Sequence, residues 1–427
     1  MPARRLVRKR SGLFASRLEP GPWLRAGQMF SGEAAADVLH TAAEDKRQND
    51  HPYCIYVHIP FCLSRCSYCA LYTMEVKDDR DKVFATFLER FKRSLEIHPQ
   101  RSRLPAPVTV HFGGGTPLAL GIDRFLELRE AVRSAFGDSA SCEWALESTT
   151  SDLDEKAAGA LKEAGFRRLH LGVQTLEDMV RRRIGRREQG EAVLAKVGQL
   201  ISGGFLLSVD LIIGFDRFSQ AMLDRDLSRL FEAGIRMFSI CELRALTGGK
   251  TDPQGTVREA SRNRALWGTI WSFMQAHGLR PIHSGQFGRS DRDNLFYTHP
   301  SRREYCLALG PYAQGSAQNM IYGNLLLPEY LEAVREGRSC VDYAVIYPER
   351  IQRLRDLEGE LMTHRITPET LAAAFEAWGG ALRSIWNEWL DHKLVIPAEG
   401  ADYLLSEEGS WFVGNMIWQA RELAAPQ

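Results

Sequence analysis

Three cysteines stand within eight residues, Cys62, Cys66 and Cys69, in the run YCIYVHIPFCLSRCSYCALYT from Tyr53 to Thr73. Thiolates spaced C-x3-C-x2-C can hold three irons of a [4Fe–4S] cluster and leave the fourth iron without a protein ligand. Ferredoxin-type clusters take four cysteines because they only pass electrons, so an open iron is a place for chemistry. A zinc reading of the same thiols needs a fourth donor, which Cys54 or His58 could supply. The context favours the cluster: the triplet follows an apolar strand directly, and the aromatic Tyr68 precedes its last cysteine.

Such a loop needs a scaffold, and the flanking chain describes one. From about residue 53 to 242 short apolar runs alternate with amphipathic stretches. The runs are Cys54–Ile59, Val108–Phe112, Glu143–Leu146, Leu169–Val173, Leu206–Ile213 and Met237–Cys241; the stretches include Lys82–Ile97, Ile122–Ala135, Asp154–Ala164 and Gly190–Ser202. This βαβα rhythm predicts a parallel sheet with crossover helices. Six such strands, curved, give a partial (β/α)6 TIM-like barrel, an α/β fold that carries its chemistry at the carboxyl ends of the strands.

The rhythm stops after residue 245. Thr247–Gly255 reads as a turn-rich linker. Beyond it the patterns predict helices over Val257–His277, Pro328–Glu336, Pro348–Met362 and Pro368–Asn387, then two short strands in Leu394–Trp411 around a turn at Glu399–Asp402. The expected organisation is an N-terminal extension (1–50), a barrel (51–245) and a mainly helical, winged-helix-like accessory domain that covers the substrate (246–427). The Ala- and Trp-rich stretch Thr370–Glu388 carries few bases, which argues against DNA binding.

Composition narrows the class of function. The 427 residues hold 54 Lys+Arg and 54 Asp+Glu, a net charge of zero, which gives a nucleic-acid partner no support. Hydrophobic residues make up 44%, yet no stretch is long and apolar enough to read as a membrane span. Eight cysteines, three clustered and five scattered, are not a disulfide framework in a chain of this length, and a reducing cytoplasm is expected. Arg4, Arg5, Arg8, Lys9, Arg10 and Arg17 open the chain without an acid; a solvated basic tail is the simpler reading over a transit peptide.

The motif C-x3-C-x-aromatic-C after a first strand resembles the radical S-adenosylmethionine (SAM) superfamily. The run YVHIPFC, Tyr56 to Cys62, is similar to the oxygen-independent coproporphyrinogen III oxidase family and its relatives, among them haem chaperones, anaerobic haem-degrading enzymes and class C radical SAM methyltransferases. The resemblance covers residues 50–245 well and the remainder loosely. It implies a cluster on Cys62, Cys66 and Cys69 whose open iron is chelated by SAM, and one-electron cleavage to a 5′-deoxyadenosyl radical. It also implies two SAM molecules. Tyr56, Gly114 (in HFGGGTP) and Glu147 (in WALESTT) correspond to the SAM on the cluster. Tyr68, Gly115, Thr116, Gln174 (in GVQ), Arg186 (in RIGRRE) and Asp210 (in SVDLIIGF) correspond to a second. The residue types suit these tasks: glycines let the backbone approach a ligand, a strand-end carboxylate can accept ribose hydroxyls, and a guanidinium fork fits a carboxylate.

Three departures bear on substrate. Coproporphyrinogen oxidases of this family carry a further cysteine two residues past the third ligand, where this chain has Leu71. The chaperones carry an H-N-x-x-Y-W haem motif, where this chain reads DNLFYT, with Asp293 for His and Thr298 for Trp. The fifth strand runs into GFDRFSQ rather than the family's GLPGQT. The reaction expected from the resemblance is therefore class C methyl transfer. The radical takes hydrogen from the methyl of the second SAM, the methylene adds to an sp2 carbon, and one further electron from the donor, with a proton moved from that carbon to the methylene, releases S-adenosylhomocysteine and leaves a methyl group. Tyr297 and His299, which share a Tyr-Thr-His-Pro loop, are the candidate catalytic residues, with His283 and Tyr305 as further proton acceptors. Tetrapyrrole oxidation or degradation, and haem chaperoning, are the alternatives. Expected partners are a small-molecule or peptide-borne aromatic substrate and an electron donor such as flavodoxin or ferredoxin.

Overall fold

The computed structural model describes residues 26–44, 52–69, 71–99, 104–243, 260–301, 305–317 and 319–424. The basic N-terminal run and the linker Thr247–Gly255 lie outside them. The six expected strands form: β1 (Tyr53–Ile59), β2 (Thr109–Gly114), β3 (Glu143–Ser148), β4 (Phe166–Gln174), β5 (Leu206–Ile213) and β6 (Met237–Glu242), all parallel and in that order. Their near-continuous apolar runs are what parallel strands covered on both faces require. The crossover helices bury one stripe each; Arg80–Glu96, for example, turns Phe84, Phe87, Leu88 and Phe91 inward.

The sheet does not end at β1. A seventh parallel strand, Tyr305–Leu309, runs beside it, with Tyr305 opposite Tyr53 and Leu309 opposite Val57. Antiparallel strands Gln314–Ala317, Met320–Asn324, Val341–Ile346 and Gln28–Ser31 continue outward on that side, and Gln286–Gly288 and Arg280–His283 on the side of β6, thirteen strands in one sheet. The sequence patterns predict no strand over these segments. Gln314–Ala317 (QGSA) lacks the bulky residues that mark a strand because its neighbours fill the space. A Cβ on Gly315 would lie 2.3 Å from the Tyr322 ring, and one on Gly323 2.4 Å from Tyr343.

The predicted helices appear as Ala260–Ala276, Leu327–Arg335, Glu349–Met362 and Pro368–Asp391, the last kinked at Gly379. With the short sheet of Arg365–Ile366, Val395–Pro397 and Tyr403–Leu405, the final pair gives the winged-helix-like part. The ribbon stops at Leu405, and Glu407–Trp411 is helical because Ser406 caps it, accepting from the Gly409 N–H at 3.0 Å. Buried Arg421 forks onto Glu358, tying the last helix to Glu349–Met362. Among the described residues no helix is long and apolar enough to cross a membrane.

One buried carboxylate links the helical layer to the barrel mouth. Asp226, on helix Gln220–Glu232, accepts from Thr175 Oγ1 at 2.5 Å and from the Leu176 N–H at 3.2 Å, and so pins the turn that follows β4. Burial raises its pKa from the ordinary 3.8 to about 6, against those two hydrogen bonds, which lower it. The folded state thus holds this proton more tightly than the unfolded chain. The associated stability is fully present below about pH 4 and lost as pH rises through about 6. Asp226→Asn keeps both acceptor contacts and has no charge to desolvate. Thermal unfolding across this window should show a flatter stability profile for the variant and a higher Tm at pH 8; a wild-type slope would reject the assignment.

Candidate active site

The cluster loop begins where β1 ends. Phe61–Cys62 pairs in parallel with Met74–Glu75, and the loop is closed by Met74 N–H to Pro60 O (2.6 Å) and Val76 N–H to Cys62 O (3.1 Å). Inside it the Cys69 N–H donates to Cys66 O at 3.2 Å. All three thiols are half-buried. Burial pushes the Cys62 and Cys69 thiols up, and the neighbouring cysteines add to it, while Thr116, whose hydroxyl lies 3.9 Å from Cys62 Sγ, pulls Cys62 down. Three soft donors on one loop, mutually close enough to repel as thiolates, fit an iron–sulfur cluster, with each thiolate taking a different iron.

The glycine turn after β2 exists to let this loop approach. Gly114 has φ +110°, and a Cβ there would meet His58 Cε1 at 2.8 Å. A Cβ on Gly115 would lie 2.4 Å from Phe61 O and 3.0 Å from Cys62 Sγ. A side chain at Gly114 would push against the end of β1, and one at Gly115 against the cysteine loop itself.

The residues expected around the first SAM fall into two linked pairs. Glu147, ending β3, accepts from the Gly114 N–H at 3.3 Å and pairs with His111 Nε2 at 2.9 Å. The Tyr56 hydroxyl lies 3.0 Å from His58 Nδ1, and its ring faces the barrel interior 6.1 Å from His111.

Most of the second group also converges. Arg186 forks onto the Tyr68 hydroxyl, with Nη2 at 2.7 Å and Nε at 3.2 Å. Gln174 holds a left-handed backbone (φ +63°), and its buried Oε1 has no hydrogen-bond partner. A Cβ on Gly172 would stand 3.0 Å from both Arg186 Nη2 and Gln174 Nε2, so only glycine leaves this cradle open. Asp210 is the register partner of Gly172 across β5. Gly115 and Thr116 sit beside Cys62, on the cluster side. An orphaned carboxamide oxygen, a guanidinium and a phenol over a bare glycine fit a polar ligand such as the amino-acid end of SAM. Neighbouring Arg181 is structural: it donates to the carbonyls of Val173, Thr175 and Glu188.

The C-terminal candidates lie elsewhere. Tyr297, on helix Leu295–Ser301, packs beside His283 (5.5 Å between ring centroids) and Phe296 (5.0 Å), while the side chain of His299 lies outside the described residues. Tyr305 is buried edge-on to Tyr53 (6.3 Å), at the start of β1 and so at the end opposite the cysteine loop. In DNLFYT, Asp293 is a capping residue: its Oδ2 accepts from the N–H groups of Arg289 (2.6 Å) and Ser290 (2.9 Å). In the GFDRFSQ turn Asp216 lies near Arg183 of the preceding crossover (3.4 Å) and near Arg217 (3.8 Å).

The sequence patterns passed over several interior rings. Phe296 stacks on His111 (4.2 Å) and on Tyr56 (5.0 Å), while Arg168, near the start of β4, donates to Arg292 O at 3.3 Å. The segment around Phe296 thereby floors the barrel. His170 lies 4.9 Å from His111 and bonds Ser208; burial, first, and then His111 and Arg168 hold its pKa well below the ordinary range, so it is neutral. The two-residue alternation of β4 and β5 could have revealed His170, Ser208 and Asp210 as one inward face.

Residues 56–230 match the model of the radical SAM superfamily. Anaerobilin synthase of Escherichia coli O157:H7 is 25% identical over 381 residues, spanning 86% of this chain and 84% of the relative. An oxygen-independent coproporphyrinogen III oxidase of Cereibacter sphaeroides is 28% identical over 385 residues, 81% and 83% of the two chains. That of Pseudomonas aeruginosa is 36% identical, but over 169 residues and 36% of its length. Among solved structures, Escherichia coli coproporphyrinogen III oxidase superposes with a TM-score of 0.80 over 97% of each chain at 18% identity, a likeness of fold. The match places residues 56–230, the cysteine loop among them, in a radical SAM domain, which implies a [4Fe–4S] cluster and SAM as cofactors. Within that superfamily, its relatives are those of the oxygen-independent coproporphyrinogen III oxidase group.

Proposed function

We propose that this radical SAM enzyme acts on a tetrapyrrole and transfers a methyl group from a second SAM to one of its sp2 carbons. The substrate class is supported by the relatives that align along more than four fifths of both chains, whose names refer to a bilin and a porphyrinogen. The observation that carries methyl transfer is a second polar cradle besides the Glu147–Gly114 pair, made by Arg186, Tyr68 and Gln174 and holding an unmatched carboxamide oxygen.

When bound, the cluster supplies the electron that cleaves SAM to a carbon radical. The chain's part is to hold and shield. Glu147, oriented by His111 and the Gly114 amide, presents an oxygen to the ribose, and Arg186 presents its fork to the carboxylate of the second SAM. Phe296 closes the barrel floor and keeps water from below. Porphyrinogen decarboxylation is disfavoured by Leu71, and haem ligation at DNLFYT by the capping role of Asp293.

The test is an anaerobic assay of reconstituted, reduced enzyme with SAM and haem or coproporphyrinogen. The expected result is 5′-deoxyadenosine and S-adenosylhomocysteine together, with a tetrapyrrole product heavier by a methyl group. The first nucleoside alone would leave hydrogen abstraction and reject methyl transfer. No response to either tetrapyrrole would reject the substrate class.

A further inference from the structure

Three non-glycine residues with left-handed backbones sit just past or at the carboxyl ends of parallel strands: Gln174 (φ +63°), Arg217 (φ +57°) and Tyr312 (φ +62°). Tyr312 is the most unexpected. A bulky residue is strained there and glycine would not be. Burial does not explain its retention, since it is 44% exposed.

One face of its ring is backed by Tyr72 at 4.6 Å, with His58 edge-on at 6.1 Å. Tyr72, three residues past Cys69, is fixed at both ends. Its hydroxyl accepts from the Leu327 N–H at 3.0 Å, and its carbonyl lies 3.1 Å from His58 Nε2. The Tyr312 N–H donates to Leu325 O at 2.8 Å. Two large apolar side chains flank the pair in the chain, Leu71 beside Tyr72 and Leu326 beside Leu325, and both are exposed, at 39% and 43%. The outcome is a rigid, supported aromatic face with an apolar rim, at the same end of the barrel as the cysteine loop.

We propose that Tyr312, backed by Tyr72, is a stacking wall for the flat face of the substrate's conjugated macrocycle. Offset stacking on a fixed ring suits a planar, unsaturated ligand, and a preorganised ring loses little freedom on binding. The wall rests on the tetrapyrrole reading above and adds to it the residue that selects for planarity.

Anaerobic titration of cluster-loaded protein with haem, followed by the Soret band, tests it. Tyr312→Gly removes the ring at a backbone angle that glycine favours, so its Tm and iron content should match wild type while haem binds about tenfold more weakly. Tyr312→Phe keeps the face and should bind within about twofold of wild type. Wild-type affinity in Tyr312→Gly overturns the wall. Equal losses in both variants also overturn it, since the hydroxyl and not the ring face would then hold the ligand. No saturable Soret change in the wild type also overturns the wall, and the response to coproporphyrinogen in the assay above then decides whether the tetrapyrrole reading stands without it.

Discussion

Cys66→Ala removes the iron–sulfur absorbance and takes 5′-deoxyadenosine formation to background, a loss of at least about three orders of magnitude. Three thiolates are the fewest that hold the cluster while leaving an iron for SAM, so no ligand is spare. Cys54, Cys142, Cys306 and Cys340 cannot stand in. Cys54 and Cys306 face each other across β1 and its neighbour, buried, and their mutual hydrogen bond, then burial, pushes the Cys54 thiol well up. The Cys142 and Cys340 thiols are each raised to about 12 by burial. Cys66→Ser separates ligand chemistry from size, because a hydroxyl of nearly the same shape is a poor ligand for iron–sulfur clusters. Iron per chain and anaerobic 5′-deoxyadenosine yield are the measurements. Either variant retaining a tenth of wild-type yield would mean that the cluster lies elsewhere.

Arg186→Ala separates the two SAM sites. The guanidinium donates from both Nη2 and Nε to one phenol oxygen, in a half-buried setting where each charge-assisted bond counts. Losing it should cut S-adenosylhomocysteine formation about a hundredfold, or about 2.7 kcal/mol. Cluster content and 5′-deoxyadenosine formation should persist, because Glu147, Gly114 and Tyr56 are untouched. Arg186→Lys should not restore the lost activity, since an ammonium cannot reproduce the fork. S-adenosylhomocysteine formation within about twofold of wild type in Arg186→Ala would end the two-site assignment.

The six barrel strands were legible because doubly covered parallel strands are written as apolar runs, and the cysteine loop because its spacing is itself chemistry. Tyr68 and Arg186, 118 positions apart, could be paired only through resemblance to a family; local pattern carries nothing across such a gap. Gln314–Ala317 was illegible for a physical reason: its Gly315 makes room for the Tyr322 ring, so the bulk that defines the strand belongs to its neighbour. Phe296 was hidden likewise. Nothing near it in sequence reveals that a two-turn helix will reach across to stack on Tyr56 and His111.

The strand Tyr305–Leu309 has a consequence for the life of the chain on the ribosome. It completes the hydrogen bonding of β1, the strand that leads into the cysteine loop, yet it is synthesised about 250 residues later. Until it emerges, β1 is an open edge, apolar on both faces and ready to pair with another nascent chain. Cluster delivery before that moment would load metal onto an unfinished sheet. Growth in iron-poor medium followed by late iron supply should therefore yield at least as much soluble loaded protein as early supply.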